Sequence, residues 1–221
     1  MTRRLLLALD TSFGPVSAAL MTMDGELLGK ASASDAAGQQ AEVLPPLVSS
    51  LFSSSGASFA ELGRVVASTG PGAFTGVRVG IAFAKGLKIA TGCETIGISS
   101  LDCLAAQARL RHSDVNVAIV IDARRSEAYV VARDPRGGHL VEPSLVGAGD
   151  VSRILASRAG SPLVCFGSGR GLAATSGAQF PEPDIVEVDS VVLGQVGLGL
   201  AAGTHPLVPA YLRAPDAKLP A

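Results

Sequence analysis

The chain has 221 residues, 48% of them hydrophobic and 17% charged, ample apolar content for a buried core in one large domain or two small ones and too much for disorder. Eighteen Lys+Arg against nineteen Asp+Glu leave a formal net charge of −1 with no run of like charge, so the focused positive field of a stand-alone nucleic-acid binder is missing. Cys93, Cys103 and Cys165 are odd in number and scattered through apolar surroundings, and His112, His139 and His205 share no metal-ligand spacing. That pattern argues against a disulfide framework or a zinc site and points to a reducing, cytoplasmic setting.

In chain order, Arg3-Arg4 and the run Leu5–Leu9 imitate a leader, but Asp10 ends the run after five residues, short of the roughly seven a secretory segment needs. It reads as a buried strand. Further strands are predicted at Val16–Met21, Arg64–Ser68, Val115–Ile121, Glu127–Arg133 and Leu163–Phe166, and helices at Gln39–Ser54, Phe74–Thr91, Leu101–Leu110, Val151–Ala159 and Ser190–Ala202. Buried strands alternating with longer amphipathic stretches define an α/β protein. Ser99 with Asp102, Asp150 and Asp189 stand as N-caps. Residues 190–212 carry no formal charge, yet Gln195, His205, Pro206, Pro209 and several glycines interrupt them, so no membrane span is expected.

The chain also resembles itself. LLLALDTSFGPVSAALMTMDGELL and VAIVIDARRSEAYVVARDPRGGHL each read as a buried strand, an Asp, a short turn, a second strand and a Gly turn, aligning Asp10 with Asp122 and Gly25 with Gly137 at one offset of 112 residues. A duplicated unit of this kind resembles the two-lobed actin, sugar kinase and heat-shock chaperone (ribonuclease H-like) superfamily. That resemblance implies a cleft in which the two aspartate turns face nucleotide phosphate and metal. The ordinary use of Asp at such places is to cap its own turn. Ser68–Lys85, STGPGAFTGVRVGIAFAK, is a glycine loop entering a helix, where anions are favoured, but it lacks the GK[ST] ending of a P-loop and contains no GxGxxG. Asp10, Gly70, Gly72 and Asp122 are therefore the weak candidates for nucleotide contact. Cys165–Gly169 reads as an ordinary strand-to-helix turn, and Arg124 and Arg125 could meet an acidic partner surface.

Four segments, LALDTS at 7–12, GPGAFTGVRVGIAFAKGL at 70–87, IDARRSEAYVV at 121–131 and PAYLR at 209–213, together resemble the TsaB (YeaZ) family. The resemblance implies a non-catalytic scaffold subunit of the machinery that makes threonylcarbamoyladenosine in tRNA. It implies pairing with the catalytic paralogue TsaD, with TsaE completing the set, no cofactor of its own, and contact with tRNA only through its partners. TsaD carries an HxxxH metal pair on an early helix. The comparable helix here, Gln39-Gln40-Ala41-Glu42-Val43-Leu44-Pro45, has no histidine. The alternatives are an ATP-dependent small-molecule kinase or ATPase using Asp10 and Asp122, and a glycoprotease-like peptidase, for which no Ser-His-Asp set is evident.

The expected organisation is an N-terminal lobe, residues 1–100, bearing partner-binding helices, and a C-terminal lobe, residues 101–221, whose last segment packs back on the first. On the helix at 74–91, Val77, Ile81 and Ala84 fall on one side and Val79, Phe83, Gly86 and Ala90 on the other. Lys88, on the first side, suggests that this side faces outward. The expected interface is Val43, Leu47, Leu51, Phe74, Val77, Ile81 and Ala84, used for a homodimer or for the heterodimer with TsaD in competition.

Overall fold

A computed structural model of the protein describes residues 4–34 and 38–213. The first half of the chain runs β1 (Leu5–Asp10), β2 (Val16–Thr22), β3 (Leu27–Ala33), α1 (Gln40–Ser54), β4 (Leu62–Ser68), α2 (Phe74–Thr91) and β5 (Glu94–Ile98). After α3 (Ser100–Arg111) come β6 (Asn116–Arg124), β7 (Glu127–Arg133), β8 (His139–Gly147), α4 (Val151–Arg158), β9 (Leu163–Phe166) and α5 (Ser190–Leu198). Every expected strand and helix is present with adjusted ends. β6 runs on to Arg124, and α5 stops at Leu198, before Gly199, instead of reaching Ala202.

Three strands were not expected, and each has a weak apolar signature. β3 (LLGKASA) and β8 (HLVEPSLVG) are sheet edges with few fully buried side chains. β5 (ETIGI) is short, and its Gly97 is needed because a Cβ there would strike the backbone of Pro206 and Leu207. Among the caps, Asp189 accepts from Val191 N at 2.8 Å. The Ser99 hydroxyl caps nothing, and Asp150 instead meets Arg153 at 2.7 Å.

The duplication is visible in the strand order. One sheet runs β3-β2-β1-β4-β5 and the other β8-β7-β6-β9. In each, an antiparallel hairpin (β1–β2, β6–β7) carries a third antiparallel strand on its outer edge and a parallel strand beside its first member. Gly25 and Gly137 take up left-handed conformations in the equivalent turns, with φ of 99° and 91°.

The layers follow from which faces are apolar. α1 and α2 cover the outer face of the first sheet, where Leu5, Leu7, Leu9, Val65 and Ala67 meet Leu44, Val48, Phe52, Val77, Ile81 and Ala84. α3 and α5 lie between the sheets in a core shared by Leu6, Ala8, Val66, Ile119, Ile121 and Phe166. α4 covers the far face of the second sheet. α5 presses on the first sheet through Gly194, against Met21 and Ala8, and Gly197, against Val66. Arg64 on β4 is almost enclosed and donates to the carbonyls of Gly197 and Leu200 while pairing with Glu94 at 2.8 Å. Beyond α5 the chain returns along β5, where Gly97 N donates to His205 O at 3.0 Å, Leu207 enters the outer core and Ala210 N donates to Thr69 O at 2.8 Å. No described helix is long and apolar enough to cross a membrane.

Candidate functional site: two aspartate turns, a helix pair and a cavity

The first turn is closed. Asp10 ends β1 with no exposed surface, and its carboxylate accepts from Ser12 Oγ at 2.5 Å, Ser12 N at 3.2 Å, Phe13 N at 3.5 Å and Ser68 Oγ. Ser100, at the start of α3, donates to Ser12 at 2.8 Å and extends the network across three elements. Burial pushes the Asp10 carboxyl above the usual range, partly offset by its hydroxyl and amide donors. The glycine loop forms the lid. Gly70 has φ +88°, and its carbonyl accepts from Ser100 N at 2.9 Å. A Cβ on Gly72 would collide with the backbone of Ser12, and Ala73 N donates to Ser12 O at 2.9 Å. Gly70 and Gly72 thus bring the loop down onto the turn. A nucleotide phosphate with its metal, which the fold class implies, does not fit here: both carboxylate oxygens are committed to internal donors, and the loop occupies the approach.

The second turn is open. Asp122 is exposed and caps its own hairpin by accepting from Arg124 N at 2.7 Å. Its backbone N–H donates to Ser168 Oγ at 3.2 Å, and Gly169 N donates to Val120 O at 2.9 Å, so the Gly167–Gly169 turn lies directly beside it. Arg124, Arg125 and Ser126 all adopt positive φ, 62°, 54° and 58°. The structure therefore does not join Asp10 and Asp122 into one site. Among the described residues no group of three His, Cys, Asp or Glu side chains is placed to hold a metal ion. His139 is held between Asp102 and Glu142 at 3.2 and 3.0 Å.

The helix pair corrects the expected facing of α2. Val77, Ile81 and Ala84 point inward, Ile81 with 4% of its surface exposed, and they belong to the outer-face core of the first sheet. The cause is the glycine flank. A Cβ on Gly76 would meet the Thr11 carbonyl, and one on Gly80 would meet the Thr11 hydroxyl, which itself donates to Gly76 O at 2.7 Å. The helix is pressed hardest onto the sheet along this line, and the residues beside it are buried. Lys88, which suggested the opposite, sits in the last turn, where a cation suits the helix terminus whichever way the face points. The outward side carries Val79 and Phe83, half-buried, and Ala82, Gly86 and Ile89, exposed. Ile89 shows 87% of its surface. On α1, Leu51 is buried, whereas Val43 and Leu47 remain half-exposed beside Val79 and Phe83 on the rim of the core.

A cavity of about 530 Å³ opens where α2 begins, lined by the Gly70–Gly72 loop, Phe74, Arg78, Tyr129, Tyr211 and Arg213. Residues 210–213 reach it from Thr69 and end with Arg213 donating to Ala123 O at 2.9 Å and Glu127 at 2.5 Å on the β6–β7 hairpin. They strap the two lobes together. Of the cavity lining, the sequence singles out Phe74 and Val77 for the interface and Gly70 and Gly72 for nucleotide contact, and PAYLR at 209–213 as a segment, but not Tyr129, Tyr211 or Arg213 as site residues; no periodicity marks an irregular segment that crosses between lobes.

The fold is the duplicated α/β two-lobed architecture of the actin-like class. A family model described as TsaD, tRNA N6-adenosine threonylcarbamoyltransferase, matches residues 34–140. An uncharacterized protein of Mycobacterium tuberculosis is 34% identical over 96% of this chain and 93% of its own length. The tRNA threonylcarbamoyladenosine biosynthesis protein TsaB of Escherichia coli is 37% identical over 84 residues, 38% of this chain and 36% of that protein. A crystal structure from Pseudomonas aeruginosa, described as similar to peptidase YEAZ, superposes with a TM-score of 0.78 over 95% of this chain and all of that one, at 25% identity. The chain belongs to the TsaB (YeaZ) family.

Proposed function

We propose that this chain serves tRNA threonylcarbamoyladenosine biosynthesis as a non-catalytic subunit, docking the catalytic paralogue TsaD through the outward faces of α1 and α2, with TsaE joining the larger complex. The observation that carries the docking surface is the apolar strip Val43, Leu47, Val79 and Phe83, half-exposed at the rim of the core, with the exposed Ile89, on two helices whose opposite sides already fill the core. A helix covering one sheet needs an apolar stripe little wider than about 100°; α2 has more, and the surplus suits a second partner. The match of the TsaD model to residues 34–140, which include both helices, supports a partner of the same fold. A related chain could present an equivalent helix pair, so self-pairing and pairing with TsaD would compete for one surface. The sealed Asp10 turn supports a role without chemistry of its own and disfavours the kinase alternative, with ATP and metal handled by the partner subunits.

Co-purification with the TsaD homologue of the same cell tests this reading. Phe83→Asp and Ile89→Asp each place an unpaired charge on the strip and are expected to leave a folded chain whose capture of TsaD drops by tenfold or more, about 1.4 kcal/mol of association or beyond. Ile81→Asp, on the inward side, is expected to unfold the chain. Full capture by both folded strip variants would sink the assignment of this face.

A further inference from the structure

The cavity at the start of α2 has a chemistry that partner docking does not use. Its lining combines two guanidinium groups, two tyrosines and Phe74, and contains no carboxylate. Glu127 pairs with Arg213 from behind. Arg78 has no carboxylate partner among the described residues: its guanidinium lies 3.6 Å over the Phe74 ring and donates to the Tyr211 hydroxyl at 3.0 and 3.2 Å. Phe74 and Tyr211 expose 62% and 59% of their surface, an unusual expense of apolar area for rings that could have turned inward. Two largely exposed aromatic rings, Phe74 with one face stacked under a guanidinium that has no described carboxylate partner, beside a space within the range of small-ligand pockets, form a platform for a flat ring carrying negative charge.

We propose that this cavity takes a nucleotide unit, its base against Phe74 and Tyr211 and its phosphate toward Arg78. An acidic peptide would satisfy Arg78 but leave both rings unused, and a purely apolar ligand would leave the guanidinium unmatched. The place differs from the phosphate position implied by the fold class, because that position is the sealed Asp10 turn on the other side of the Gly70–Gly72 loop. The same chemistry is offered by a free mononucleotide and by an unpaired residue of an RNA strand.

The chain contains two tyrosines and no tryptophan, and both tyrosines line this cavity, so intrinsic tyrosine emission reports on it directly. The full chain would be titrated at low salt with uridine monophosphate and, separately, with single-stranded oligouridylate of about eight nucleotides. Saturable quenching is expected, weakened about tenfold by Phe74→Ala and by Arg78→Ala, with Arg78→Ala also flattening the salt dependence. Both residues are exposed, so the variants should retain the circular dichroism of the parent. Quenching by the oligonucleotide alone identifies an RNA strand as the source, and quenching by both identifies the nucleotide unit itself. Phe83→Asp should leave the titration unchanged, which separates this site from the docking strip. Absence of saturable quenching by either probe, or quenching that survives in the Phe74→Ala/Arg78→Ala double variant, overturns the proposal.

Discussion

The β1–β2 and β6–β7 hairpins descend from one plan, yet their aspartates live in opposite environments. Asp10 is enclosed under the glycine loop and holds donors from the first turn, β4 and, through Ser12, α3. Asp122 sits in the open and serves only its own turn. The difference lies in what covers them. In the first lobe, Gly70 and Gly72 let a loop settle on the turn and a long helix follow it. In the second, the Gly167–Gly169 turn passes beside the hairpin without closing over it. An inherited position thus became a structural knot in one lobe and stayed an ordinary cap in the other.

Three experiments sharpen that contrast. The largest effect is expected from Asp10→Ala, which strands the hydroxyls of Ser12 and Ser68 and the Ser12 amide without an acceptor; at about 1–3 kcal/mol for each stranded group, denaturant unfolding should show a loss of about 3 kcal/mol or more. A loss under about 1 kcal/mol would mean that water replaces the carboxylate and that the turn is not sealed. The second effect concerns pH. Because burial raises the folded-state pKa of Asp10, the folded chain takes up a proton before the unfolded chain does on acidification. The associated stability is therefore fully present below the unfolded carboxylate value and lost as pH rises through the folded one. Asp10→Asn cannot titrate, so the wild type should gain on this variant as melting is followed while pH is lowered toward the unfolded carboxylate value of about 4; parallel curves would contradict the burial. The smallest effect is expected from Asp122→Ala, about 0.5–1 kcal/mol for one exposed capping bond, read by denaturant unfolding. A loss matching that of Asp10→Ala would erase the asymmetry.

How much of this was legible depended on the kind of order involved. The buried strands announced themselves because side chains covered on both faces leave continuous apolar runs such as Leu5–Leu9. The duplication was legible because Asp and Gly at turns are fixed by backbone geometry and survive where apolar residues interchange. The edge strands β3 and β8 were not, since a strand paired on one side and half exposed has no such run. The facing of α2 was misjudged for a related reason: both of its sides are apolar, and the deciding residues, Gly76 and Gly80, act by lacking a side chain, which periodicity does not register. Ser68 and Ser100 were missed because single hydroxyls on a strand end and a helix start gain their meaning only from Asp10, far away in the chain.

The placement of α5 bears on how the protein comes into being on the ribosome. Gly194 and Gly197 complete the inner face of a sheet whose own strands all lie before residue 99, and Leu207 fills the outer core of that same sheet. The half of the molecule translated first therefore keeps an exposed apolar face until residues near 200 have emerged, while β6–β9 and α4 contain their own outer core and can condense earlier. Contacts of such long sequence separation close late. The inner face of the first lobe is thus completed from the far end of the chain, whereas its outer face, under the helix pair, takes only Leu207 from there.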